Sequence, residues 1–167
     1  MKSDEFYRQT VGEKETKFSI SSKIEEIDEA VQKATAFASD AGFGDDALFG
    51  IDMAVREALA NAVKHGNKSD PNKLVRITAE LTPQEASFTV EDEGEGFDIT
   101  KIPDPCDPAN LFRTSGRGVL LIYNIMDEVE YNAQGNRVKM VKRPDAPRLE
   151  ATDENGKART ELVNRKN

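Results

Sequence analysis

The stretch Arg56-Glu57-Ala58-Leu59-Ala60-Asn61-Ala62-Val63-Lys64-His65-Gly66 reads as the second half of an amphipathic helix. Leu48, Ile51, Val55, Leu59 and Ala62 recur at three- and four-residue steps and form one apolar stripe. Glu57 and Asn61 are four residues apart, so a carboxylate and a carboxamide share one face. Asp45 or Asp46 can cap the start of the helix, and His65-Gly66-Asn67 ends it.

Downstream, the pattern changes to period two. Leu74 to Leu81 alternates Val75, Ile77, Ala79 and Leu81 with polar partners, and Ala86 to Glu91 forms a second strand across a turn at Pro83-Gln84. The second strand runs into Asp92-Glu93-Gly94-Glu95-Gly96. Residues 97–115 carry Pro103, Pro105 and Pro108 and read as a long loop, the kind that serves as a lid. Ser115-Gly116-Arg117-Gly118 then opens a helix to Met126, and Val129 to Asn132 pairs with Arg137 to Lys142 around Gln134-Gly135-Asn136.

Upstream, Thr16 to Ile20 alternates as a strand. Ser22-Lys23-Ile24-Glu25 reads as a capping box opening a helix through Ile27, Val31, Ala34 and Phe37, closed by Gly42 and Gly44. Residues 1–13 are expected to be a flexible N-terminus, 14–143 the folded domain and 144–167 a largely disordered tail. Antiparallel hairpins with the helices on one face give an α+β, two-layer sandwich.

Composition narrows the function. The chain has 167 residues, enough for one domain with a sizeable core. A net charge of −8 disfavours nucleic acid and anionic membranes as partners. Cys106 is the single cysteine, so no internal disulfide forms, and its neighbours Asp104 and Asp107 disfavour a reactive thiolate. With no apolar signal region and no apolar run long enough to span a bilayer, a cytoplasmic protein is the expectation.

The polar residues left over suit phosphoryl transfer, in which a site positions reactants and neutralises charge. Asn61 can offer one oxygen to Mg²⁺, whose other ligands come from phosphate and water. Glu57 can take the proton of an acceptor hydroxyl. Asp92 can accept from an adenine amino group, with Gly94 and Gly96 letting backbone come close. Ser115, Gly116, Arg117 and Gly118 present free amides at a helix start, where phosphate binds. Each feature alone also suits a plain surface: a solvated helix face, an acidic turn, a glycine-rich junction. His65 reads as structural, and Arg113 and Arg117 as contacts to phosphate or to a partner. No P-loop run is present.

Taken in order, Glu57 with Asn61, Asp92 to Gly96, and Ser115 to Gly118 resemble the GHKL ATPase superfamily with its Bergerat fold. Within it the chain looks most like the anti-sigma-factor serine kinases. The resemblance covers about residues 14–143. It implies that ATP is bound, that Asn61 holds Mg²⁺, that Asp92 reads adenine and that Glu57 activates an acceptor serine or threonine. It also implies a sigma factor and a STAS-type anti-anti-sigma protein as partners, and a homodimer, often through the N-terminal strand region. A module that captures a partner in response to ATP without phosphorylating it is the second reading. A catalytic domain serving a phosphoacceptor histidine is disfavoured, because sensor histidine kinases usually carry asparagine where Glu57 stands.

Overall fold

A computed structural model describes residues 14–102, 104, 107, 117–145, 151–152 and 158–159. In chain order the elements are β1 (Lys14–Ser21), a 3₁₀ turn (Ile24–Glu26), α1 (Ile27–Asp40), α2 (Asp45–Asn61), a π turn (Ala62–Gly66), β2 (Leu74–Leu81), β3 (Ala86–Glu91), a 3₁₀ turn (Ile99–Lys101), α3 (Arg117–Ile125), β4 (Glu128–Tyr131) and β5 (Arg137–Lys142). β6 (Ala151–Thr152) and β7 (Ala158–Arg159) pair antiparallel inside the segment read as a tail. The first 13 residues, most of the loop before α3 with Cys106 and Arg113, and the rest of that tail lie outside the described residues.

Five strands form one antiparallel sheet in the order β1-β2-β3-β5-β4. Register puts Phe18 beside Ile77, Ile77 beside Val90 and Val90 beside Val138, so these side chains share one face. Three helices cover that face. Ala30, Val31 and Ala34 of α1 and Ile51, Val55 and Leu59 of α2 are buried against it. Phe88 on β3 is the largest of the fully buried side chains among the described residues. The opposite face carries charged and polar residues, such as Arg76, Glu91 and Arg137, linked by ion pairs of 3.7 and 3.9 Å. The α+β two-layer sandwich read from the pattern is therefore the observed architecture.

Local signals were overridden in places. Ser22 and Glu25 form no capping box: the 3₁₀ turn and α1 begin without a side-chain cap. Ser22 Oγ instead donates to Lys73 O (2.7 Å), a partner 51 residues away. α2 starts at Asp45 with Gly44 as its N-cap, so neither Asp45 nor Asp46 caps it. At the far end Asn67 N donates to Ala62 O (2.8 Å), closing a π turn rather than a plain helix end. The β4–β5 turn is organised by Asn132 Oδ1, which accepts from the backbone of Gly135, Asn136 and Arg137.

Candidate functional site

α2 buries Ala58 and Leu59 and leaves Glu57 and Asn61 partly exposed on its other side. The neighbouring Arg56 is engaged elsewhere. Its guanidinium donates to Asp28 of α1 (3.0 Å) and Asp52 (3.3 Å), and these bonds, Asp52 first, hold its pKa above the ordinary value. Gly118, in the first turn of α3, sits directly against the pair. A Cβ there would lie 2.6 Å from Glu57 Oε2 and 3.6 Å from Asn61 Nδ2. Only glycine brings the start of α3 this close without displacing Glu57.

Asp92 follows the last residue of β3 and is 9% exposed. Burial pushes its carboxyl pKa up, while the amide of Gly94, donating to Oδ1 (2.8 Å), pulls it down; neighbouring Glu91 raises it and Lys73 lowers it. Gly66 ends the π turn against this carboxylate, and a Cβ on Gly66 would overlap it. Gly94 packs behind, against Gly66 O.

The far wall comes from the β4–β5 hairpin. Gly96 (φ +79°) and Gly135 (φ +78°) interlock their loops: a Cβ on Gly96 would overlap Gln134 O, and one on Gly135 would overlap Phe97 O. Phe97 meets Tyr131 edge to face, centroids 5.2 Å apart. Burial raises the Tyr131 phenol pKa, with nearby Tyr123 adding to it.

These walls enclose a cavity of about 430 Å³, a size typical of small-molecule sites. Glu57, Asn61, Asp92, Gly96 and Gly118 all line it, so three segments far apart in sequence meet in one place. Gly94 supports the wall from behind Asp92. His65 is exposed and lies at the cavity edge. Ser115 and Gly116 lie outside the described residues, as does the Arg117 side chain; the Arg117 backbone opens α3. The sequence gives Tyr131 and Phe97 no site role and places Asn136 only in the turn between the last two strands; all three line the cavity. No local pattern marks them, because the pairing of distant strands brings them there. The sequence marks Asn67 only as a helix terminator, yet it is buried beside the Asp92 loop.

Comparison with known proteins agrees with this fold. The family model described as histidine kinase-like ATPase domain matches residues 20–142. The chain is similar to serine-protein kinase RsbW of Listeria innocua, 30% identical over 115 residues, covering 65% of this chain and 73% of that protein. RsbW of Oceanobacillus iheyensis is 28% identical over 121 residues, covering 69% and 77%. The anti-sigma F factor of Geobacillus stearothermophilus is 36% identical over 99 residues, covering 55% and 64%. Among solved structures, the RsbU and RsbW domains of Rv1364c from Mycobacterium tuberculosis share the fold: TM-score 0.57 at 14% identity, covering 80% of this chain and 33% of that one. The chain belongs to the histidine kinase-like ATPase domain family, among its anti-sigma serine-protein kinases.

Proposed function

We propose that the protein binds ATP with Mg²⁺ in this cavity and phosphorylates a serine or threonine of a STAS-type anti-anti-sigma protein, and that it sequesters a sigma factor. The observation that carries the reading is the convergence of Glu57, Asn61 and Gly118 on the wall of the cavity that Asp92 also lines. Bound Mg²⁺ would neutralise triphosphate charge and draw electrons from the transferred phosphorus.

The residues present suit such a ligand. Gly66 and Gly118 leave space where any side chain would fill the cradle. Asn61 supplies one neutral oxygen for a cation that arrives on phosphate. Among the described residues no group of three or more His, Cys, Asp or Glu side chains is arranged to hold a metal without such help. Asp92 would accept from the adenine amino group, and partial burial strengthens that bond by excluding water. Backbone amides at the α3 start, with Ser115, Gly116 and Arg117, would face the phosphates.

Glu57 is the general base of the proposal. Its carboxylate takes the hydroxyl proton of the acceptor as the oxygen attacks the terminal phosphorus, the bond from that phosphorus to the β–γ bridging oxygen breaks, ADP departs with that oxygen, and the proton then leaves Glu57 to water. Asn61, one turn along α2 on the same face, would hold the cation with its side-chain oxygen. Kinship to anti-sigma F factors supports a sigma factor as partner, and the STAS-type acceptor is part of the proposal. β1 lies at the sheet edge, and a second copy pairing there would give the homodimer. Among the described residues no helix is long and apolar enough to cross a membrane, and action in the cytoplasm is part of the proposal.

The test is phosphotransfer. Purified protein, Mg-ATP and a cognate anti-anti-sigma protein should yield a phosphoserine or phosphothreonine by mass spectrometry. Nucleotide binding with no transfer to any such partner would favour the capture module instead. Calorimetry that detects no adenine nucleotide binding to folded protein would end both readings.

A further inference from the structure

Asn67 is buried to 1% exposure, and its carboxamide is used at both ends. Nδ2 donates to Ser22 Oγ (2.8 Å) and to Leu74 O (3.0 Å), and Oδ1 accepts from Glu93 N (2.8 Å). Glu93 answers through its side chain, accepting from Leu74 N (2.8 Å). One asparagine thus ties the β1–α1 junction and the start of β2 to the residue that follows Asp92.

The backbone around Asn67 departs from regular helix to make this possible. The π turn inserts an extra residue before it. Lys68 (φ 52°) and Ser69 (φ 57°) then take the left-handed conformation that side chains disfavour. Ser69 N donates to Val63 O (2.8 Å) and Asp70 N to Asn67 O (3.0 Å), which holds that turn. A chain ending α2 in the ordinary way needs none of these departures. Here they carry a polar side chain into the interior, where every hydrogen bond must be met.

The bond to Glu93 acts on a single planar unit. Glu93 N–H belongs to the same peptide as Asp92 C=O. Asn67 Oδ1 holds the N–H of that peptide, and Asn136 Nδ2 donates to its carbonyl oxygen (3.2 Å). Asp92 N in turn donates to Asn136 O (2.9 Å). The peptide is gripped on both edges, and the Asp92 side chain leaves from its Cα.

We propose that Asn67 is a positioning residue for nucleotide selectivity: by clamping the Asp92–Glu93 peptide opposite Asn136, it sets the direction of the Asp92 carboxyl and so the preference for adenine over guanine. The inference rests on the nucleotide reading above. A merely structural Asn67 would stabilise the fold and leave base preference untouched.

The experiment compares N67A with S22A in the full chain, using calorimetry with Mg-ADP and Mg-GDP as probes and thermal unfolding as control. Both variants break the same buried network and both should lower Tm. S22A should keep the wild-type preference, because the Asn67–Glu93 bond survives. N67A should lose about tenfold or more of the ADP-over-GDP preference, as a misaligned hydrogen-bonding group discriminates poorly. N67A with unchanged preference overturns the proposal. A wild-type protein that binds neither nucleotide defeats the underlying reading instead, which is a different result. If N67A does not fold, exchange of the Asn67 side-chain amide protons in the wild type decides. Coupling is reciprocal, so ADP must slow that exchange by about threefold or more; an unchanged rate overturns the proposal.

Discussion

Gly118 and Glu57 are in contact range across two helices: a Cβ at position 118 would stand 2.6 Å from Glu57 Oε2. A residue in the first turn of α3 therefore determines where the proposed base on α2 can sit. Because the clashing atom is the tip of a flexible side chain, added bulk at 118 would swing the carboxylate aside and leave both helices in place.

G118A should therefore separate chemistry from folding. Alanine favours helix by about 1 kcal/mol over glycine in an interior position, so Tm should hold or rise. Phosphotransfer to the acceptor protein should fall by about tenfold or more, since a misplacement near 1 Å can cost about a hundredfold. Steady-state kinetics alongside thermal unfolding would show it; full activity in G118A would remove the geometric constraint on Glu57.

E57Q keeps shape and removes the proton acceptor. Calorimetry should give ATP affinity close to that of the wild type, and phosphotransfer should slow by about a hundredfold or more. Unchanged turnover would take the role of base away from Glu57.

Asp92 makes the site sensitive to pH. Its ordinary pKa of 3.8 is raised, chiefly by burial, so the folded protein holds this proton to higher pH than the unfolded chain does. Stability from this group is then greatest at low pH and is lost as pH rises through the raised value. D92N should gain thermal stability relative to the wild type at neutral pH, and the gain should shrink as pH falls from the raised value toward 3.8. ATP affinity runs the other way: the ionised carboxyl accepts from adenine, so wild-type binding should weaken on acidification before pH 3.8 is reached. D92N should bind weakly at every pH. A wild-type affinity flat across the acidic range would exclude Asp92 as the adenine acceptor.

F88A tests where the core is centred. Phe88 is fully buried between the β3 neighbours and the helices, and truncation there should cost about 3–5 kcal/mol. Denaturant unfolding that registers less than about 1 kcal/mol would mean that the sheet packs differently from the description above.

Some of this was open to a reader of the residues. The bounds of β2 and β3 follow from strict alternation between Leu74 and Leu81 and between Ala86 and Glu91, and the structure begins and ends both strands at those residues. The buried stripe of α2 follows from Ile51, Val55 and Leu59. Periodicity is a local property, and a chain that buries one face of each element must display it. The three motifs were likewise legible, because Glu57 with Asn61, Asp92 with its glycines, and Gly118 are each short.

Tertiary contact decided the remainder, because energies in the folded state come from partners far apart in sequence. β3 pairs with β5 and pushes β4 to the edge, an order that no hairpin signal contains. Ser22 carries a helix-capping pattern, but its hydroxyl bonds to Lys73 O and receives the Asn67 amide, since a buried amide without a partner costs more than an uncapped helix start. Asn67 itself looks from the sequence like any residue that ends a helix. Only the fold, by burying it beside the Asp92–Glu93 peptide, gives its two polar atoms opposite tasks.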